Sequence, residues 1–304
     1  MAALKVIPPV LITDSTLTSS NVAETDYAVW SSGTTYSTGQ RVIVTTGVHK
    51  IYESLQGSNL NKDPTAASSA TWWLEVSPTN RWKMFDTSNT TRTTNTNTIV
   101  VTITPGRVVN SVALLELKAQ SVTVKMTDPI DGIVYNKTIS LLYNGTINNW
   151  YNYYFDPISR KTSIVVTDLP AYGSAAIEIT ITNTGSTAEC GVCQVGQSKP
   201  IGEGINLGAS VGITDYSIKK KDDFGNFIVV PRSYSKRAKF SMAIVNEQID
   251  SVLDLLASLR TTPCIWIGDE NYQCTVVYGY YKDFDIVIAY HLVSDCNLEI
   301  EGLV

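Results

Sequence analysis

Histidine is the usual general base and metal ligand near neutral pH, and this chain has two, His49 and His291. They fall in segments that read as separate domains, His49 in a hairpin turn and His291 at a strand end, so neither is expected to be catalytic. A Ser-His-Asp triad stays open on residue types, because its members need not be neighbours in sequence. The Gly-x-Ser-x-Gly elbow and the Gly-rich phosphate loops are absent, and no nucleotide or other cofactor is implied.

Cys190-Gly-Val-Cys193 has the two-residue gap that lets two thiolates converge on zinc or form a redox pair. Zinc needs two more ligands, and neither a second close Cys pair nor a His-x₃₋₅-His follows, so no metal site is expected. In strand-rich sequence this motif reads as small buried side chains, and Cys264, Cys274 and Cys296 as core thiols. Two carboxylates can act as acid and base on a glycoside. Asp283 and Asp285, two apart in a strand, share a face, and Asp222-Asp223 precede a Phe-Gly-Asn turn. Both sets read as turn formers or surface charges. The Asn-x-Thr sequons at Asn89, Asn136 and Asn144 are expected by chance in a chain this rich in Asn and Thr.

The aromatic residues are the stronger signal. Tyr27, Trp30, Tyr36, Tyr52, Trp72 and Trp73 crowd into one short stretch. Flat rings there can stack on the C–H faces of sugars, or they can be the core of a unit with few aliphatics. Trp30, Tyr36, Tyr52, Trp72 and Trp73 are the candidate carbohydrate-binding residues, and no catalytic residue is assigned.

The elements that would position these groups are mostly strands. Residues 1–26, with Pro8-Pro9 and a Thr/Ser-rich stretch, read as an extended arm suited to clasping a neighbour, and their opening apolar run is too short and interrupted for a signal peptide. Residues 27–78 form the aromatic-rich β module, with strands expected at Arg41–Thr45 and Lys50–Leu55. Residues 79–200 carry Val/Ile/Thr runs at Thr98–Thr104, Val108–Leu117, Ser121–Thr127, Thr138–Leu142, Ser163–Thr167 and Ala176–Thr182. Turn signals separate these runs, which predicts a jelly-roll-like β-sandwich. Residues 201–304 read as a split-barrel-like β domain for assembly. Its strands are expected at Asn226–Pro231, Lys239–Val245, Cys264–Ile267, Thr275–Tyr280, Asp285–Tyr290 and Asn297–Ile300. Its one helix, 246–260, has Ile249, Val252, Leu253, Leu256 and Leu259 on one stripe, Asn246 as N-cap and Pro263 as terminator. The fold class is therefore mainly β with one α-helix.

Composition narrows the function. The 304 residues are 43% hydrophobic and 17% charged, with 23 basic and 28 acidic side chains giving a formal charge of −5. There is no broad cationic field for nucleic acid or anionic lipid, and no run of about 20 apolar residues to span a membrane. No solenoid, collagen or heptad repeat is present.

Residues Trp30, Tyr36, Gly39, Val42, Tyr52, Pro64, Trp73 and Val76 together resemble the chitin-binding-like carbohydrate-binding modules of bacterial glycoside hydrolases and phage tail proteins. Those modules commonly place an exposed Trp pair after the tyrosine matching Tyr52, whereas this chain has Ser54, Leu55 and Gln56. The blocks Asn80-Arg-Trp-Lys-Met-Phe-Asp86, Trp150-Tyr-Asn-Tyr-Tyr-Phe-Asp-Pro157 and Gly279-Tyr-Tyr-Lys-Asp-Phe284 resemble structural proteins of bacteriophage tails. The resemblance implies a non-enzymatic virion component of the distal tail, made in the host cytoplasm. Its implied partners are copies of itself in a ring and the tube or hub proteins. A receptor-binding adhesin for host surface glycan is the alternative, and a tail-associated depolymerase the third reading.

Overall fold

Ser121–Asp128 shows how the strands form. Apolar Val122, Val124 and Met126 alternate with polar residues, and the period of two sends the first set inward and the second to solvent. A computed structural model describes residues 3–143, 149–155, 157–206, 208–221, 224–270, 272–288 and 290–303. It is mainly β, 50% strand and 9% helical.

Three layers stack behind this pattern. The first is a five-stranded sheet in the order Gly132–Ser140, Ser121–Asp128, Ala176–Cys190, Thr93–Ile103, Leu17–Ser20. Its register aligns Val124 with Ile179 and Ile179 with Val101, one apolar row across three strands. The second layer is three-stranded, Ile164–Val166, Ser111–Leu115 and Val192–Gly196. Every residue of the last two strands is buried, because this sheet has no solvent face. Val112, Leu114, Cys193 and Val195 point into the core shared with the five-stranded sheet. Ala113, Leu115 and Val192 point the other way, meeting Ile7, Ile265, Ile267, Val276 and Tyr278.

Those last residues belong to the third layer, an eight-stranded sheet. Along its path lie Lys199–Ile201, Leu4–Ile7, Cys264–Ile267, Val276–Val287, Val293–Gly302 and Tyr234–Val245, with Gly204–Ile205 and Ser210–Asp215 both pairing with Tyr234–Val245. The expected helix covers its far face. It enters through a 3₁₀ turn at Asn246–Gln248 and runs as α-helix over Ile249–Ser258, burying Val252 and Leu256 against Phe240, Met242 and Trp266. Asn246 does not cap it. Its side chain instead donates to the carbonyls of Tyr290 (3.0 Å) and His291 (2.9 Å) and accepts from Ser294 (2.6 Å), tying the helix entry to the neighbouring loop. The expected strands Thr275–Tyr280 and Asp285–Tyr290 are largely one strand, Val276–Val287, whose register shifts between Tyr281 and Asp283.

The N-terminal residues depart from the free arm expected. They are extended, but bonded within their own chain. Leu4–Ile7 is an interior strand between Lys199–Ile201 and Cys264–Ile267, and Leu17–Ser20 lies at the edge of the five-stranded sheet. Leu4, Val6 and Ile7 are fully buried, so their apolar side chains are satisfied without a neighbour.

The aromatic module is built from Arg41–Val44, Lys50–Ser54 and Trp73–Pro78, with a second small ladder of Thr35–Tyr36 and Asn59–Leu60. Tyr36, Val42, Tyr52 and Trp73 are its core.

Candidate functional site

Tyr36, Tyr52 and Trp73, three of the five candidate sugar-binding residues, spend their rings inside the module. Tyr36 and Trp73 meet edge to face at 5.2 Å, and the Trp73 indole N–H donates to the Lys62 carbonyl at 2.8 Å. Burial also pushes the Tyr52 hydroxyl above its usual range. Trp30 and Trp72 pack half-buried on the same core, and the Lys62 ammonium sits 5.4 Å from the centre of the Trp72 ring. The structure therefore gathers all five around one small core and gives the module no row of open ring faces. In so small a unit, aromatic area is needed first for folding.

The candidate chemical groups are not brought together. His49 is buried, with Nδ1 2.7 Å from Glu24 and its ring 4.8 Å from that of Trp82. Glu24 also accepts from Thr79 (2.7 Å) and pairs with Arg81 (3.0 Å), so this cluster bolts the segment before the module to the segment after it. His291 is exposed beside the 246–248 turn. Asp283 and Asp285 are exposed and line a shallow depression of about 370 Å³ with Lys239 and Glu299. Asp222-Asp223 lie outside the described residues. Among the described residues no group of three or more His, Cys, Asp or Glu side chains could hold a metal ion.

Cys190, Cys193, Cys264 and Cys296 are buried free thiols, as the strand reading expects, but Cys274 is exposed in the 3₁₀ turn Gln273–Thr275. Burial pushes the Cys193 and Cys264 thiols up to about 12 and Cys296 up to about 11. Iodoacetamide under native conditions is therefore expected to label Cys274 alone, with the other four reacting only after denaturation. Peptide mass spectrometry reads this directly, and native labelling at Cys193 would contradict the packing.

The surface carries two features whose exposure sequence reasoning missed, although it expected a strand at Asn226–Pro231 for the first. The first is a β-hairpin, Ile218–Lys221 paired with Phe227–Val230 and with no other strand among the described residues. It prolongs the ribbon made by Ser210–Asp215 and Tyr234–Lys239. Between the two ladders, Ser217 and Arg232 are tied through the Ser217 hydroxyl, and Asp215 is paired with Lys219 at 2.7 Å. Phe227, Ile228, Val229 and Val230 are 69%, 54%, 56% and 45% exposed, so this strand shows apolar side chains on both faces of the hairpin, beside Lys219, Lys220 and Lys221 of its partner strand, with the Lys221 ammonium 4.9 Å from the centre of the Phe227 ring. Beside it the edge strand Ser210–Asp215 shows Val211 and Ile213, and its outer edge has no strand partner among the described residues. Phe-Ile-Val-Val alone reads as a buried strand. The usable signal was Lys219-Lys220-Lys221 opposite, since three consecutive lysines cannot line a strand with a buried face.

The second feature is a short helix, Trp150–Phe155, carrying a row of exposed rings. It sits in the segment between Gly132–Ser140 and Ile164–Val166.

Searched against protein-family models, curated proteins and solved structures, the chain matches none. Among the described residues no helix is long and apolar enough to cross a membrane.

Proposed function

We propose that this chain is a structural subunit of a bacteriophage tail tip or baseplate, assembling with copies of itself in a ring and docking onto the tube or hub, with the aromatic module facing outward. The tail assignment rests on the resemblance of the 80–86, 150–157 and 279–284 blocks. The self-assembly rests on the hairpin Ile218–Val230. A two-stranded ribbon is marginal in water by itself, and this one exposes four consecutive apolar residues on both faces. Its neighbour Ser210–Asp215 is an edge strand with no Pro and a single charge, Asp215, which leaves it open to strand pairing with another chain. Identical chains joined hairpin to edge make a head-to-tail contact, which closes into a ring when the rotation per subunit divides the circle.

Light scattering of the purified full-length chain tests this reading. The expected result is one closed oligomer, converted to a folded monomer by the double substitution Phe227→Asp and Val229→Asp, with circular dichroism unchanged. A chain that stays monomeric at micromolar concentration would overturn it, as would an oligomer indifferent to that double substitution.

A further inference from the structure

Leu142 and Arg160 form an isolated antiparallel bridge. Next to it the Tyr143 N–H donates to the Ser159 carbonyl (3.0 Å) and the Lys161 N–H to the Leu141 carbonyl (2.7 Å). Arg160 also donates to the Asn183 side chain at 3.1 Å, fixing this base to the sandwich. The segment between is closed like a noose. A six-residue helix is too short to hold itself together in water, so the clamp sustains Trp150–Phe155 and presents it away from the core.

The rings on that helix are arranged in two rows by the four-residue repeat. Trp150 and Tyr154 stack with planes 24° apart and centres 6.4 Å apart, and Tyr151 and Phe155 lie at 4.8 Å and 35°. Tyr153 stands edge-on to both Trp150 and Tyr154. Trp150, Tyr151, Tyr153, Tyr154 and Phe155 are 61–77% exposed, in contrast to the module rings.

We infer that this ring row is a binding platform for an uncharged oligosaccharide. Residues 143–159 contain one charged side chain, Asp156, and no Lys or Arg, while they are rich in Tyr and Asn. Within these residues a phosphorylated or acidic ligand would find no cation, and a lipid surface none of the basic residues that interfacial helices use; of the two that follow, Arg160 is held by Asn183 at the clamp. A protein partner of the usual kind would be met with arginine among the aromatics. Exposed rings with phenol hydroxyls among them match a neutral sugar, which offers C–H faces for stacking and hydroxyls for hydrogen bonding. Tyr and Trp also lose little rotamer freedom when they bind, which suits weak ligands. The platform goes beyond the assembly reading and does not depend on it.

The probe is an array of neutral and acidic oligosaccharides, read with the full-length chain and followed by titration of the best neutral binder. The expected result is binding confined to neutral glycans, weakened about tenfold or more by Trp150→Ala and again by Tyr154→Ala, and unchanged by Trp72→Ala. The Phe227→Asp/Val229→Asp chain is expected to bind with the same per-site affinity, which separates this platform from the assembly reading. An array without neutral binders would overturn the inference. So would binding that survives Trp150→Ala, or loss of the oligomer in Trp150→Ala, which would make the ring row a subunit contact.

Discussion

Gly279→Val is expected to destabilise the chain by more than about 3 kcal/mol, an overpacking cost at the upper end of its kind. Gly279 lies opposite Gly302 in the middle of the eight-stranded sheet. A Cβ placed there falls 2.1 Å from the Glu301 carbonyl oxygen and 2.7 Å from the Gly302 Cα. Both neighbours are backbone, so no rotamer change makes room. The two strands would have to part, and the Gly279 carbonyl would pull away from the Trp266 indole N–H that it accepts from at 3.1 Å. Domains are stable by only about 5–15 kcal/mol, so the loss is a large share. Thermal unfolding is expected to show a melting point lower by roughly 6–12 °C, or no soluble chain at all. Gly33→Ala is the control, because nothing lies within 4 Å of its added Cβ and its φ is not in the left-handed region. A Gly279→Val chain melting alongside that control would refute the close approach.

Removal of residues 1–9 is expected to unfold the eight-stranded sheet. The strand Leu4–Ile7 is interior, and without it Cys264–Ile267 loses a hydrogen-bonded neighbour while Lys199–Ile201 loses the one strand it pairs with among the described residues. Full burial of Leu4, Val6 and Ile7 stabilises the fold by roughly 5–9 kcal/mol at the usual 1.5–3 kcal/mol per side chain. Gln194 also donates to the Ile7 carbonyl, so the same strand fastens the middle layer. Limited proteolysis with mass spectrometry is expected to cut the truncated chain throughout 201–304 while the intact chain resists. Ile7→Ala is the milder version, at about 2–5 kcal/mol. If these residues served a neighbouring subunit instead, the truncated chain would stay folded and fail only to assemble, and that outcome would sink the prediction.

What could be read beforehand follows from where the information lies. Ser121–Asp128 and the stripe of Ile249, Val252, Leu253, Leu256 and Leu259 carry their periodicity locally, and both elements form where the pattern puts them, although Leu253, expected in the buried stripe, is 45% exposed at its margin. The module's lack of aliphatics allowed Tyr36, Tyr52 and Trp73 to be either core or sugar-binding rings, and only their packing decides for the core. Leu4–Ile7 was not legible as an interior strand, because four residues before a Pro pair hold no trace of partners at Ile201 and Ile265. The hairpin strand Phe227–Val230 fell at the expected place, but exposure belongs to the assembled surface and not to an apolar run. Trp150–Phe155 escaped as a helix because aromatic residues form helices weakly, and its loop clamp is closed by residues outside it. Asn246 has the right type for a cap, and the loop at Tyr290–His291 outcompetes the helix for it.

The three-stranded layer, walled in on either side, also bears on how such a chain can diverge. At Ser111–Leu115 and Val192–Gly196 successive side chains face opposite cores, so a substitution has to be matched by partners in the five-stranded sheet or in the eight-stranded one according to its position. The clamped segment at 142–160 and the lysine-backed hairpin carry no such constraint, so their sequences can be exchanged while the laminate beneath keeps its thickness.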